Sequence, residues 1–596
     1  MLKRLARWLL RLIILAFVIF VVVLVTDAIS HHYRPGSVLV LELDGPIVER
    51  SSASAFGLIS ADETPLNVVR RALNIAQDDP RIVGLAIRVL DPQFELAQAE
   101  ELTDAIDTFR RHGKWVCAYM ETAGEGGFGN LPYYVASSAD PGELSMMPQG
   151  ELNLLGVGIR EIFARGTLDW LKITPNFAAI GKYKDAANIF TEKDFTPGQH
   201  EEDDALAGAM YDQIVSGISA HRQITPDAVR AIIDRAPLSA EDGLKSKLLD
   251  RLEYQDQFDE RMKHYRGEKH QLVDYDSYDN TIISRMFARH PKIAVIYGVG
   301  DIQKGNGGLN PFSTPGSEAM DSDDMADAFK SAREDDDIRA VIFRIDSPGG
   351  EVLASELIRR AAQLTAEKKP LVVSMSSYAA SGGYWVSTPA AEVVAEPGTI
   401  TGSIGVLGGK FNVAGAATAL GVNTGTITRG ANALMFDSFS DFTPEQAHIF
   451  RDVLLGDTYQ YFLKIVADQR HMTIAQVNDI AQGRVWTGDQ ALNVKLVDKL
   501  GGFDTALAEA KRLAKLDPQE RVQLVELPEV PGLITRLTSG QVYSRIYAQA
   551  YAQIYRQFFG SQALTTLRAF APMLEIMRDA SQHHAGEVFC PVVPIM

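Results

Sequence analysis

The stretch SSYAASGGYWVST, from Ser376 to Thr388, sets Ser381 directly before two glycines at the end of an apolar run. A serine hydroxyl becomes a nucleophile when a positioned base removes its proton, and a lysine amine can be that base. No histidine lies near Ser381 in sequence; His448 and His471 occur downstream in charged, helical surroundings. Lys184, in GKYKDAANIF, is a candidate, and so is Lys182, which on a strand would share its face. A free lysine, with a pKa of about 10.4, is protonated at neutral pH. Burial disfavours its charged form and lowers that value by up to about 3–5 units. Ile180, Ala186, Ala187, Ile189 and Phe190 supply apolar neighbours. Asp185 would hold the ammonium form unless strand alternation turns it away. Acyl chemistry also needs donors for an oxyanion. In DSPGGE, Asp346 to Glu351, glycines follow a strand pattern and precede a helical one, which suits Gly350 to that task with the N–H of Gly382 as partner.

What links a lysine and a serine so distant in sequence is an internal repeat. IVGLAIRVLDP (from Ile82) lies over IRAVIFRIDSP (from Ile338), and PQGELNLLGV (from Pro148) over PGTITGSIGV (from Pro397). DFTPGQ (from Asp194) lies over DFTPEQ (from Asp441), and LSAEDGLKSKLLDRL (from Leu238) over WTGDQALNVKLVDKL (from Trp486). The order is kept and the offset nearly so, which identifies a tandem duplication. Carrying the first offset forward places Glu125 opposite Ser381, and the DFTP anchor places Ala431 opposite Lys184. Each copy lacks what the other has, so the two degenerate copies are expected to build one composite site.

Each copy reads as α/β. Short continuous apolar runs such as KIAVIYGV, AVIFRID and PLVVSMSS are buried parallel strands in pattern, and SELIRRAAQLTAEKK between them is helical. The expected organisation is residues 1–33 as anchor, 34–285 as first repeat, 286–525 as second repeat and 526–596 as helical tail. In the tail, Tyr543, Tyr547, Tyr551 and Tyr555 stack on one helix face, as a packing stripe or a membrane-facing belt. At the N-terminus, Lys3, Arg4, Arg7 and Arg11 precede an apolar run from Leu12 to Val25. This predicts a transmembrane helix with a cytoplasmic start and the remainder across the membrane. A cleaved signal peptide is the rival reading, with Asp27 poor cleavage chemistry. The chain of 596 residues carries a formal charge of -18, which argues against nucleic acid. Cys117, in a strand-like run, and Cys590 are its two cysteines, too few for a metal cluster or a disulfide framework, and no cofactor is expected.

DSPGGE, AASGGYW, TGSIGV, VWTGDQA and the upstream YK motif together resemble the signal peptide peptidase A family in its long, tandem-domain form. The resemblance covers most of the chain to about Val525 and is more specific in the second repeat. It implies the fold of the crotonases and of the Clp protease proteolytic subunit, repeated in tandem behind a transmembrane helix. It implies a membrane-anchored serine protease of the bacterial inner membrane, with catalytic domains in the periplasm, that degrades cleaved signal peptides and similar hydrophobic peptides. By that resemblance Ser381 is the nucleophile, Lys184 rather than Lys182 the general base, and Ser403 the residue that orients the lysine. The family's bowl-shaped homotetramer is likewise implied. Two departures stand out: YKDAANIF replaces the usual YKSA motif, and Lys495 replaces the usual glycine of GLVD.

Three rival readings are weaker. GEGGFG, Gly124 to Gly129, fits the dinucleotide fingerprint, but Pro132 spoils an immediate helix. The pattern around Ser381 is one residue short of a nucleophile elbow and would need a downstream histidine. A catalytically inactive, membrane-anchored scaffold that binds peptides or membrane proteins, with Asp185 as the disabling change, is the alternative from another functional class.

Overall fold

The structure is a computed structural model that describes residues 33–50, 63–278, 290–305, 319–528 and the backbone of Glu587–Val588. The apolar run from Leu12 to Val25, the tyrosine stripe from Tyr543 to Tyr555 and Cys590 lie outside the described residues. No helix among the described residues is long and apolar enough to cross a membrane.

The chain packs into two compact units. Of the described residues, one unit contains those up to Gly156 and those from Ile214 to His290; the other contains Val157–Gln213 and those from Pro291 onward. The compact units therefore divide the chain differently from the sequence repeats. The insert Val157–Gln213 belongs by sequence to the first copy and by packing to the second unit.

The first unit is built on a parallel sheet in the order Leu272–Asp274, Ser37–Val48, Ile82–Gln93, Trp115–Met120, Leu144–Met146, Arg251–Leu252. The second repeats that order with Gln523–Leu527, Lys292–Val299, Ile338–Ser347, Leu371–Ala380, Glu392–Ala395 and Lys499–Leu500. Strands covered on both faces explain the unbroken apolar runs: Ile342, Val372 and Val394 face one core cluster, and Val341, Phe343 and Val373 the other. Cys117 sits in the first sheet fully buried, and burial raises its thiol pKa far above the ordinary range, as befits a small core residue.

The duplication extends to side chains. Tyr133 donates to the carbonyl of Leu248 at 2.8 Å, and Tyr384 to that of Leu496 at the same distance. Arg222 pairs with Asp250, and Arg470 with Asp498, each at 2.7 Å. Both arginines also donate to the carbonyl of a left-handed lysine, Lys247 (φ 62°) and Lys495 (φ 64°) respectively. A left-handed residue is required at that corner, which accounts for a family preference for glycine where this chain has Lys495.

One expected correspondence needs correction. Ala123 bridges Leu152 as Ala379 bridges Thr401, but the next matched residue is Gly129 rather than Glu125. Gly129 and Ser381 are both helix N-caps, and their N–H groups donate to the matching carbonyls of Asn153 and Gly402, at 2.9 and 2.8 Å. The loop between them is longer in the first copy, so an offset carried across it misplaced Glu125, which is exposed on that loop. GEGGFG is this loop, and the first copy still has no hydroxyl at the matching point.

Arg470 is nearly buried and anchors three acceptors, since it reaches both carboxylate oxygens of Asp498 and the Lys495 carbonyl. Arg470→Ala is expected to lower stability in urea denaturation by about 2 kcal/mol. Lys464→Ala, which breaks only an exposed pair with Asp468, should change it by less than about 0.5 kcal/mol.

Candidate active site

Ser381 stands where strand Leu371–Ala380 turns into helix Gly382–Ser387, with φ 56° and ψ -112°. A non-glycine residue in that region is strained, and such strain clusters at functional sites. The turn is held by the Ser381 N–H on the Gly402 carbonyl, and the helix runs from it under Trp385, whose indole donates to Glu356.

Ser403 is also left-handed, with φ 50°, and its N–H donates to the Arg484 carbonyl at 2.7 Å. The chain at Gln482–Val485 is thus a strap across the site. It accepts the Ser403 N–H at Arg484, donates from Gly483 to Ile404 and accepts the Tyr183 N–H at Gln482.

Lys184 reaches the same place on the insert Val157–Gln213. Strand Thr174–Ile180 pairs antiparallel with Val406–Asn412, from Ile180 opposite Val406 to Thr174 opposite Asn412. Phe177 on the strand and Phe190 on the short helix Asn188–Thr191 pack with Phe411 on the partner strand, which fixes the register. The Lys184 amine lies 2.8 Å from Ser381 Oγ and 3.0 Å from Ser403 Oγ. All three residues are buried, Lys184 at 4% exposure.

The strand ends at Ile180, so Lys182 and Lys184 do not share a strand face. Lys182 turns outward and binds Glu201 at 2.6 Å and the Tyr183 hydroxyl at 3.0 Å; the bond to Glu201 is the main reason its pKa is raised. Asp185 is not turned to solvent either: it is buried beside Lys184. The apolar surroundings read from sequence are present in part, in buried Ala187 and Phe190, with Ile180, Ala186 and Ile189 half-buried.

Gly350 has φ 151° and lies against strand Asp301–Gln303, where an added Cβ would sit 2.1 Å from the Ile302 carbonyl oxygen. A Cβ on Gly382 would lie 3.1 Å from the Gly350 nitrogen, so the two glycines stand close together, one of them directly after Ser381. A buried hydroxyl, an amine in contact with it and a second hydroxyl on that amine are parts that acyl transfer can use, and the glycine backbone beside them can supply N–H donors. Neither histidine takes part: His448 binds Asp452 at 2.8 Å on an exposed helix, and His471 is the exposed left-handed cap of another. Among the described residues no group of histidine, cysteine or carboxylate side chains could hold a metal ion.

Sequence reasoning missed Gly483 and the buried carboxyls of Glu202 and Asp203. Gly483, at φ 84°, leaves no room for a side chain: a Cβ there would sit 2.4 Å from the Lys184 nitrogen and 2.6 Å from its Cα. The glycine directly before RVWTGDQA was the available signal. Gly483→Ala is expected to push Lys184 off Ser381 and to cost about 10²-fold in peptidase rate, the scale of an ångström misplacement. Gly425→Ala, with open space around it, should match wild type in the same assay.

Peptidase family S49 matches the chain twice, over residues 108–269 and 363–517. The chloroplastic serine protease SPPA of Arabidopsis thaliana is 31% identical over 514 residues, covering 85% of this chain and 73% of that protein. Protease 4 of Salmonella typhi is 32% identical over 529 residues, covering 85% and 82% respectively. Protease 4 of Haemophilus influenzae is 29% identical over 515 residues, covering 81% and 80%. Two matched segments, an α/β architecture repeated in order and likeness to proteases over most of the chain lead to one conclusion: the chain belongs to peptidase family S49, in tandem form, and is a serine protease.

Proposed function

We propose that the chain is an endopeptidase working by a Ser381/Lys184 dyad on extended hydrophobic peptides, cleaved signal peptides among them. The 2.8 Å approach of the buried Lys184 amine to Ser381 Oγ is the observation that supports it most directly. As a free amine, Lys184 takes the hydroxyl proton while Ser381 Oγ attacks the peptide carbonyl carbon. The oxyanion accepts hydrogen bonds from the Gly350 and Gly382 N–H groups. The Lys184 ammonium then protonates the departing amine, and water repeats the cycle on the acyl-enzyme. Ser403 Oγ fixes the amine in line with Ser381.

An extended substrate suits the surroundings. The backbone of Glu587–Val588 runs antiparallel beside Gly350–Glu351 and also pairs with Leu407, so the gap between those strands accommodates one more strand. On this reading the fold is of the Clp protease/crotonase type, the apolar N-terminal run anchors the enzyme in the bacterial inner membrane, and four copies assemble with their catalytic units in the periplasm.

A fluorophosphonate probe on the detergent-solubilised full chain tests the dyad. Ser381→Ala should abolish labelling, and Lys184→Ala should slow it by about 10²–10⁴-fold. Lys182→Ala and His448→Ala should label as wild type. Wild-type labelling in Lys184→Ala would refute the assigned base. Product mapping on a synthetic signal peptide tests the substrate class, with cuts inside its apolar core expected.

The pH dependence follows from the same chemistry. Labelling should accelerate as pH rises and the Lys184 ammonium gives up its proton, with the faster rates on the alkaline side of neutrality. A rate constant flat from about pH 5 to 9 would rule out a titrating base.

A further inference from the structure

Behind Lys184 the fold buries carboxyl groups that the dyad does not use. Asp185 is 5% exposed, Glu202 1% and Asp203 6%, and Glu161 stands near them. Asp185 Oδ2, Glu202 Oε2 and both Asp203 carboxyl oxygens have no hydrogen-bond partner. Glu202 and Asp203 lie on helix Pro197–Arg222, which is tied to the Lys184 turn through Asn188 Nδ2 on Gln199 Oε1 at 3.0 Å. The other oxygen of Glu202 accepts the Val485 N–H, in the strap whose neighbouring Arg484 carbonyl holds Ser403. Glu202 therefore supports the hydroxyl that orients Lys184, and Asp185 adjoins the lysine in the chain.

We propose that the buried carboxyls of Asp185 and Glu202 position Lys184 and set the pH above which its amine is free to act. This rests on the dyad reading, and both are positioning residues, since neither touches Ser381. Two isolated carboxylates cannot both be ionised in such a place without large desolvation and repulsion costs. Burial is the main cause that pushes Asp185 up to about 7, with the neighbouring Asp203 adding to it, and the same burial takes Glu161 to about 7 and Asp203 to about 6. Glu202 goes well above its ordinary range for the same reason, with Asp185 next. The charged groups facing the pair are Lys184, Glu161, Asp203, Arg484 and, on the helix, His200; Lys182 and Glu201 neutralise each other outside.

The sign follows from these neighbours. At low pH the pair is neutral and Lys184 is an ammonium. As pH rises, the first proton to leave the cluster creates a carboxylate beside the ammonium, which stabilises it and delays the free amine. Lysine and carboxyl then titrate as one coupled system rather than as separate groups. Taking away a carboxyl without changing its shape should release the amine at lower pH.

The test is the pH profile of kcat/KM for the full chain in detergent, with an internally quenched hydrophobic peptide as substrate. In Asp185→Asn the acid limb should move down by about one pH unit, seen as about tenfold higher kcat/KM at a pH on the wild-type limb. Glu202→Gln keeps an acceptor for the Val485 N–H and should move the limb in the same direction. If one variant fails to fold, the other decides by the same measurement. A folded variant whose limb stays within about 0.2 unit of wild type, or moves up, overturns the pair. Failure of the dyad itself is distinguishable, because Lys184→Ala would then retain fluorophosphonate labelling.

Discussion

The antiparallel pairing of Thr174–Ile180 with Val406–Asn412 is the constraint on which the candidate site depends. It ends at Ile180 opposite Val406, three residues beyond Ser403, and the turn that follows delivers Lys184 between two hydroxyls. A slip by one residue would exchange the faces of the strand and withdraw Phe177 from Phe190 and Phe411. The aromatic cluster that fixes this register is therefore as necessary to the geometry as the polar atoms. The insert that carries the strand packs with the unit that holds Ser381, so lysine and serine come from different repeats and sit in the same compact unit.

Around that pairing the local backbone is unusual where it must be. Ser381 and Ser403 both adopt positive φ, each stabilised by an N–H donated to a neighbouring segment. Such conformations persist only where surrounding contacts over-determine them. The strap Gln482–Val485 supplies several of those contacts, bonding to Tyr183, Ser403, Ile404 and Glu202. Burial disfavours the carboxylates of Asp185 and Glu202 beside it.

Much of this was legible in the sequence. Repeat matches such as IVGLAIRVLDP over IRAVIFRIDSP located equivalent strands, because buried parallel strands require unbroken apolar runs that survive divergence. Ser381 before two glycines, DSPGG before a helix and the absence of a lysine at Ala431 pointed to the candidate chemistry. Glu125 shows where such reading stops. A longer loop shifts the correspondence to Gly129, and no local feature of the sequence announces the shift. Strand periodicity failed at Lys182 and Asp185 because the strand ends at Ile180, and a turn then decides which side chains enter the interior.

The sequence by itself determined the α/β class and the duplication and singled out a candidate serine and two candidate lysines, since composition, periodicity and residue type are local properties. Tertiary structure decided that Lys184 points inward and Lys182 outward, that Gly483 must be small, and that carboxyls from the helix that follows stand behind Lys184. Those outcomes depend on contacts between residues 200 to 300 positions apart, such as Lys184 with Ser403 and Glu202 with Val485. Burial, strain and pKa arise from such contacts, and they come into being only when the chain is packed.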